Sequence, residues 1–189
     1  MIIQPRYLKA SVFGASDGIV TTFAVVAGVM GAGLSTQVIL ILGIANMLAD
    51  GLSMAIGDYL GERSNYKLRL NHGIKKSKAE ASGFDYDEDH FNGVNLWKTS
   101  LVTFLAFIIA GTLPLIPYIA ILFGLDLADY NQFTLSIITT GLAMFFVGSL
   151  RTFVIKGKWF YNGLEMFAIG SVAAAVAYSV GFFIEGFLS

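Results

Sequence analysis

The chain of 189 residues is 56% hydrophobic and only 13% charged, whereas soluble domains carry about 25% charged residues. The mean hydropathy of +0.70 therefore indicates a membrane protein. The net charge of -1 argues against a nucleic-acid partner, and the absence of cysteine excludes disulfides and thiolate metal sites.

Five stretches are long and apolar enough to cross a bilayer as helices, which requires about 20 mostly apolar residues. In chain order they cover residues 11–33, 37–61, 97–123, 132–155 and 160–187. The amino-terminal apolar run contains an acid and no clear cleavage site, so we expect no removable signal peptide. The sequence thus predicts an all-α integral membrane protein with five transmembrane helices in one domain, residues 1–189.

The first predicted helix contains an acid, Asp17, within the stretch "GASDGIVTTFAVVAGVMGAG". Gly14 and Gly18 flank this acid, and their spacing lets a second helix approach closely. Thr21, one turn further on, is placed to hydrogen-bond the acid or to line a pore. A charged acid near the bilayer centre costs about 2.5–3.5 kcal/mol, so we predict a functional role in metal or proton movement. The alternative is that Asp17 caps a helix beginning at Gly18.

The second predicted helix carries a polar or sulfur-containing side chain at every fourth position of "NMLADGLSMAIGDYLGE". Four residues advance about 400° around a helix, so these side chains form one slowly drifting stripe. Oxygen ligands suit hard or borderline cations, and a thioether adds preference for softer transition metals. We predict that the stripe lines a metal pathway, with the candidate ligands Asn46, Asp50, Met54, Asp58 and Glu62. The alternative is that Met54 packs in the core and that Asp58 and Glu62 lie among lipid headgroups.

The remaining spans carry fewer signals. Pro114 and Pro117 are expected to kink or break the third predicted helix. Glu165 and Glu185 lie near the two ends of the last predicted helix and are weaker candidates, because side chains there can reach the interface. The predicted linker, residues 62–96, has a basic half expected to lie on anionic headgroups. For its acidic half, "DYDEDH", we favour a solvated charge run over a weak metal cluster.

The twelve basic residues all lie before the first predicted helix, between the second and third, or between the fourth and fifth. Because loops rich in basic residues stay in the cytosol, we expect a cytosolic amino terminus and a carboxyl terminus outside the cytosol or in a lumen. Every basic residue lies in a loop or at the end of a predicted helix. The acids inside the predicted spans must therefore be protonated, bind a cation or face water.

Several strings resemble the vacuolar iron transporter family: "SDGIVTTFAVVAGVMGAGLS", "LGIANMLADGLSMAIGDYL", "FLAFIIAGTLPLIPY" and "KGKWFYNGLEMFAIGSVAAAVAYSVG". The resemblance implies five membrane helices, a homodimer with the ion path near its interface, and export of ferrous iron, often also manganese, in exchange for protons. Asp17 matches the family's first-helix acid, and Met54 matches its second-helix methionine ligand. Asp58 stands where plant relatives commonly carry a glutamate, and Asn46 and Asp50 align with polar positions.

The linker departs from the family pattern. Plant and fungal members carry a long helical domain rich in glutamate and methionine at this place, whereas this linker is short and lacks methionine. The resemblance therefore implies a compact antiporter whose partners are divalent metal ions, protons, the lipid bilayer and a second copy of the chain. We expect the plasma membrane if the source is prokaryotic and the vacuolar membrane if it is eukaryotic. Iron or manganese would be a substrate, and no cofactor is expected.

Two other functions stay open at this point. The protein could be a non-transporting membrane scaffold whose acids serve helix packing, or a proton-coupled transporter of another solute. An intramembrane hydrolase is not expected, because the sequence pattern places no basic residue near a potential nucleophile. We therefore predict that the protein is not an enzyme and has no catalytic residues.

Overall fold

The computed structural model describes residues 5–71, 96–124, 131–155 and 157–188, which are helical apart from short turns. Its helices in chain order are α1 (Pro5–Gly31), α2 (Thr36–Asn71), α3 (Leu96–Gly111), a 3-10 turn (Leu113–Leu115), α4 (Ile116–Leu122), α5 (Gln132–Leu150), α6 (Thr152–Ile155) and α7 (Trp159–Leu188). Five segments of this part of the chain are long and apolar enough to cross a membrane. They coincide with the five predicted spans, so the predicted all-helical membrane fold is confirmed.

A tight turn joins α1 to α2. Gly33 adopts a positive φ of 62°, which favours glycine because it has no Cβ. The N–H of Leu34 donates to the carbonyl of Val29 at 3.1 Å, and the N–H of Gly33 donates to that of Met30 at 3.1 Å. This pair of bonds closes the carboxyl end of α1 and turns the chain back, so the predicted helical hairpin is confirmed.

Two prolines interrupt the third span, as predicted. The helix α3 ends at Gly111, Pro114 lies in the 3-10 turn, and Pro117 lies in the first turn of α4. Proline lacks an N–H donor and clashes with the preceding turn, so a continuous helix cannot form here. The hydroxyl of Ser136 in α5 donates to the Pro114 carbonyl at 2.7 Å, and this bond anchors the break to the neighbouring helix.

The helix α1 occupies the centre of the bundle and contacts α2, α3, α5 and α7. A methyl group added to Gly14 or Gly18 would overlap the carbonyl oxygen of Thr103 or Phe107 in α3. The two backbones therefore touch on either side of Asp17, and the close approach predicted from the glycine spacing is confirmed. This contact fixes the position of Asp17 in the membrane.

The helix α2 is less enclosed than α1. Its packed face includes Gly43, Met47 and Gly51, whereas Leu48 and Leu52 on the other side are exposed. It continues as a helix to Asn71, past the predicted boundary of the span. The acidic cluster predicted at 85–90 lies outside the described residues.

Candidate functional site

Asp17 lies in the middle of α1, which begins at Pro5, so the alternative in which it caps a helix starting at Gly18 is wrong. Its side chain is half-buried. The hydroxyl of Thr21 donates to the backbone oxygen of Asp17 at 2.8 Å, and not to the carboxylate. The carboxylate is thus left for other partners.

Asp50 of α2 is the stripe residue that the structure brings to Asp17, close enough for the two carboxylates to interact electrostatically. The side-chain amide of Asn46 donates to Asp50 Oδ2 at 2.7 Å and restrains that carboxylate. Two like charges at this depth repel each other unless a proton or a cation neutralises one of them. The arrangement therefore favours occupation by a positive ion.

Asp58 is held elsewhere. The hydroxyl of Ser100, buried on α3, donates to Asp58 Oδ2 at 3.1 Å. Asp58 lies two turns beyond Asp50, about 12 Å along the helix axis. Met54 lies on the turn between them and Glu62 on the turn after. The structure therefore joins Asp58 to α3 rather than to the carboxylates around Asp17.

The predicted stripe on α2 forms one continuous edge. All of its members are half-buried, between the packed and the exposed faces of the helix: Asn46, Asp50, Met54, Asp58 and Glu62. Polar side chains along such an edge can face both a neighbouring helix and a partner chain. Their assignment as metal ligands stays a prediction.

Met47 is a candidate metal ligand that the four-residue pattern missed, because it follows Asn46 directly and so lies off the stripe. It is 6% exposed, and the hydroxyl of Thr112 lies 3.8 Å from its sulfur. The sulfur and the buried hydroxyl of Thr22 both lie next to Gly111. Within the described residues the Thr22 hydroxyl has no hydrogen-bond partner.

A cavity of about 460 Å³ lies on the other side of Asp17, between α1, α7 and the end of α5. Its lining is mostly apolar and contains three charged residues. The residues that line it are Lys9, Val12, Phe13, Ser16, Asp17, Val20, Arg151, Met166 and Ile169. Sequence reasoning placed Lys9 before the first span and Arg151 in the basic turn between the fourth and fifth spans, and it interpreted Met166 as packing. The fold brings all three to the cavity that Asp17 lines.

Arg151 also contacts one of the two weaker acidic candidates. Its Nη1 lies 3.7 Å from Oε2 of Glu165, and the side chains are 31% and 54% exposed. Glu185 is exposed near the carboxyl end of α7. Neither glutamate is therefore assigned to the site formed by Asp17 and Asp50.

One copy of the chain supplies few ligands. Among the described residues, no three of the histidine, aspartate or glutamate side chains converge on a common metal position. Asp17 and Asp50 bring two carboxylates, and the oxygen of the Asn46 amide is adjacent. Such a set binds a divalent cation only with further ligands, from water or from a second copy.

The chain is similar in sequence to several known proteins. A model of the VIT family matches residues 8–82 and 69–182. A protein of Toxoplasma gondii named vacuolar iron transporter is 28% identical over 93% of this chain and 73% of its own length. A vacuolar iron transporter of Plasmodium falciparum is 23% identical over 96% and 84%, respectively. Vacuolar iron transporter 1 of Eucalyptus grandis is 25% identical over 89% and 83%.

Proposed function

The chain belongs to the VIT family, and we propose that it is a membrane transporter of divalent metal ions, ferrous iron or manganese, which it moves out of the cytosol in exchange for protons. Its similarity to proteins named vacuolar iron transporter supports metal transport. The direction, the manganese activity and the coupling to protons are our proposals. The observation that supports metal binding and its coupling to protons is the pair of carboxylates on α1 and α2.

Asp17 and Asp50 provide oxygen ligands of the kind that ferrous iron and manganese accept. They lie on neighbouring membrane helices and interact with each other. The bond from Asn46 orients the Asp50 carboxylate, as an outer partner commonly does for a metal ligand. We assign Asp17 and Asp50 as the central pair, with Met54 as an additional ligand one turn away.

The same carboxylates provide a means of coupling. A carboxylate must lose its proton to bind a metal, so metal entry releases protons and proton entry releases metal. Because one group serves both ions, exchange needs no second pathway. On the α2 edge, Asp58 and Glu62 extend the acidic groups beyond the central pair.

The orientation that we propose rests on the distribution of basic residues. Lys9, Arg63, Lys98, Arg151 and Lys158 flank the membrane spans at one end of the described helices. Basic flanks favour the cytosolic side, so the acidic end of α2 faces the cytosol in our proposal. The protein would lie in the plasma membrane of a prokaryote or in the vacuolar membrane of a eukaryote.

We also propose that two copies form the transporter. Small exposed residues recur at every fourth position of α2, next to the polar edge: Ala45, Ala49, Ser53, Gly57 and Gly61. Within the described residues nothing lies within 4 Å of a methyl group built on Gly57 or Gly61. Small residues at this spacing let membrane helices pack closely, and a second α2 here would bring its own polar edge to the first.

The homodimer can be tested by cross-linking because the chain has no cysteine. Ser53→Cys is expected to form a disulfide-linked dimer in membranes treated with a mild oxidant. Ile109→Cys, on α3 and 70% exposed, is the matched control and is expected to stay monomeric. Equal cross-linking of both variants, or none at Ser53→Cys, would contradict a dimer packed through α2.

The transport function can be tested with purified protein in liposomes. Entry of ferrous iron and manganese is followed with a trapped indicator while the lumenal pH is recorded. We expect metal uptake with opposite proton movement, lost in Asp17→Asn and reduced in Met54→Ala. Glu185→Gln, a matched change of an exposed membrane acid, is expected to transport normally. Folded wild-type protein without metal flux would refute the function, and normal flux in Asp17→Asn would refute the site.

A further inference from the structure

Three charged side chains share the cavity on the α7 side of Asp17: Asp17 itself, Lys9 and Arg151. Lys9 lies two turns before Asp17, about 12 Å along α1, and is exposed. Asp17 also interacts electrostatically with Asp50, a second carboxylate. The basic side chains that share this cavity with Asp17, and that could compensate its charge when it is empty, are Lys9 and Arg151.

Arg151 is anchored through its main chain at the end of α5, and its side chain makes a partly exposed ion pair. Its N–H donates to the carbonyls of Val147 at 3.3 Å and Gly148 at 3.2 Å, which fixes the residue at the end of α5. Its guanidinium lies 3.7 Å from Glu165, a partner that is 54% exposed. An ion pair this long and this exposed is weak, so the guanidinium can leave Glu165 at little cost.

The Asp17 carboxylate lacks a comparable partner. Within the described part of the chain its hydrogen bond is made by the backbone oxygen, to Thr21. An ionised carboxylate inside a membrane protein is costly unless a cation or a proton accompanies it. A transporter whose acid loses its metal passes through this state, and a tethered cation in the same cavity would stabilise it.

We propose that Arg151 is a tethered counter-ion that alternates between Glu165 and Asp17. Its guanidinium pairs with Asp17 when that carboxylate holds no metal, and it returns to Glu165 when the metal binds. The proposal rests on the proposed function, because it assumes that Asp17 binds the transported metal. Arg151 is then a positioning residue that competes with the metal, and Glu165 sets how strongly it competes.

This competition predicts opposite effects for two neutral substitutions. Arg151→Gln removes the competitor, so metal binding at Asp17 should tighten. Glu165→Gln removes the alternative partner, so Arg151 should compete harder and metal binding should weaken. Each change is expected to shift the dissociation constant by about two- to fivefold, the range of a partly exposed ion pair. The double variant should match Arg151→Gln, because Glu165 acts only through Arg151.

The test measures equilibrium binding of manganese to the purified full-length protein in nanodiscs of neutral lipid, with free manganese read by electron paramagnetic resonance. Arg151→Lys keeps the charge and is expected to bind within twofold of wild type. Lys9→Gln removes the other cation of the cavity and is the comparison variant, with a smaller effect expected because Lys9 is exposed and lies about 12 Å from Asp17 along α1. Elution as a single species on gel filtration verifies that each variant is folded.

The outcomes separate the two proposals. Opposite shifts in Arg151→Gln and Glu165→Gln, with the double variant equal to Arg151→Gln, support the counter-ion. Shifts of the same sign, no shift, or an equal effect of Lys9→Gln would overturn it while leaving the transport function standing. Wild-type protein that binds no manganese, or Asp17→Asn that binds as tightly as wild type, would overturn the metal site and the counter-ion together.

Discussion

The contact between α1 and α3 gives the most direct test of the fold around Asp17. Gly18→Ala adds one methyl group where the backbone of Phe107 lies against α1. A carbonyl oxygen cannot rotate away as the end of a side chain can, so the two helices must separate. Asp17 immediately precedes Gly18 in the chain, and we expect its position relative to Asp50 to change with this separation.

The expected loss of stability can be estimated from two opposing effects. Overpacking of a tight contact costs about 1–3 kcal/mol. Alanine is favoured over glycine within a helix by about 0.5–1 kcal/mol, which offsets part of that cost. We expect a net loss of about 1–2 kcal/mol for Gly18→Ala. Gly186→Ala is the matched control in α7, because no described residue lies within 4 Å of its added methyl group, and it should be neutral or slightly stabilising.

The assay is unfolding of the purified variants in mixed micelles, with the free energy of unfolding read from the helical signal, together with metal flux in liposomes. Gly18→Ala should be less stable than Gly186→Ala and should lose flux, whereas Gly186→Ala should keep both. Equal stability of the two variants would refute the backbone contact between α1 and α3. Reduced stability with normal flux would refute the link between this contact and the position of Asp17.

Three further predictions concern hydrogen bonds. Ser100→Ala removes the donor to Asp58 and should lower the free energy of unfolding by about 1 kcal/mol in the same assay. Its control is Ser171→Ala, because the Ser171 hydroxyl bonds within its own helix, and this variant should change stability by less than about 0.5 kcal/mol. Asn131→Ala removes the cap whose side chain accepts from Phe133 and Thr134, and should cost about 1 kcal/mol, which Asn131→Ser should largely restore. Asn46→Ala frees the Asp50 carboxylate and should reduce manganese flux about tenfold, and unchanged flux would contradict the orienting role of the amide.

Much of the architecture could be predicted from local chemistry. The lengths of apolar sequence determined the five spans, and Pro114 and Pro117 determined the break in the third, because each effect acts within a few residues. Gly14 and Gly18 predicted a close helix contact for the same reason. The two glycines did not identify the partner helix, because any helix with a smooth face could pack against them.

The details of the site could not be predicted because they depend on which helices are neighbours. The periodicity of α2 predicted the polar stripe, but it did not distinguish Asp50, which interacts electrostatically with Asp17, from Asp58, which accepts a hydrogen bond from Ser100 on α3. Arg151 was assigned to a loop because it follows a span in sequence. Only the packing of the end of α5 against α1 brings its side chain to the Asp17 cavity.

The charges near Asp17 differ between the cavity and the edge of α2. A divalent cation that enters through the cavity meets Lys9 and Arg151, and both repel it. Along the edge of α2 it meets Glu62, Asp58 and Asp50 in turn, and each attracts it. Because the repulsion and the attraction both double for a doubly charged ion, we expect the metal to approach Asp17 along α2 rather than through the cavity. In our proposal the cavity holds the guanidinium of Arg151, which pairs with Asp17 or Glu165 according to whether Asp17 holds metal.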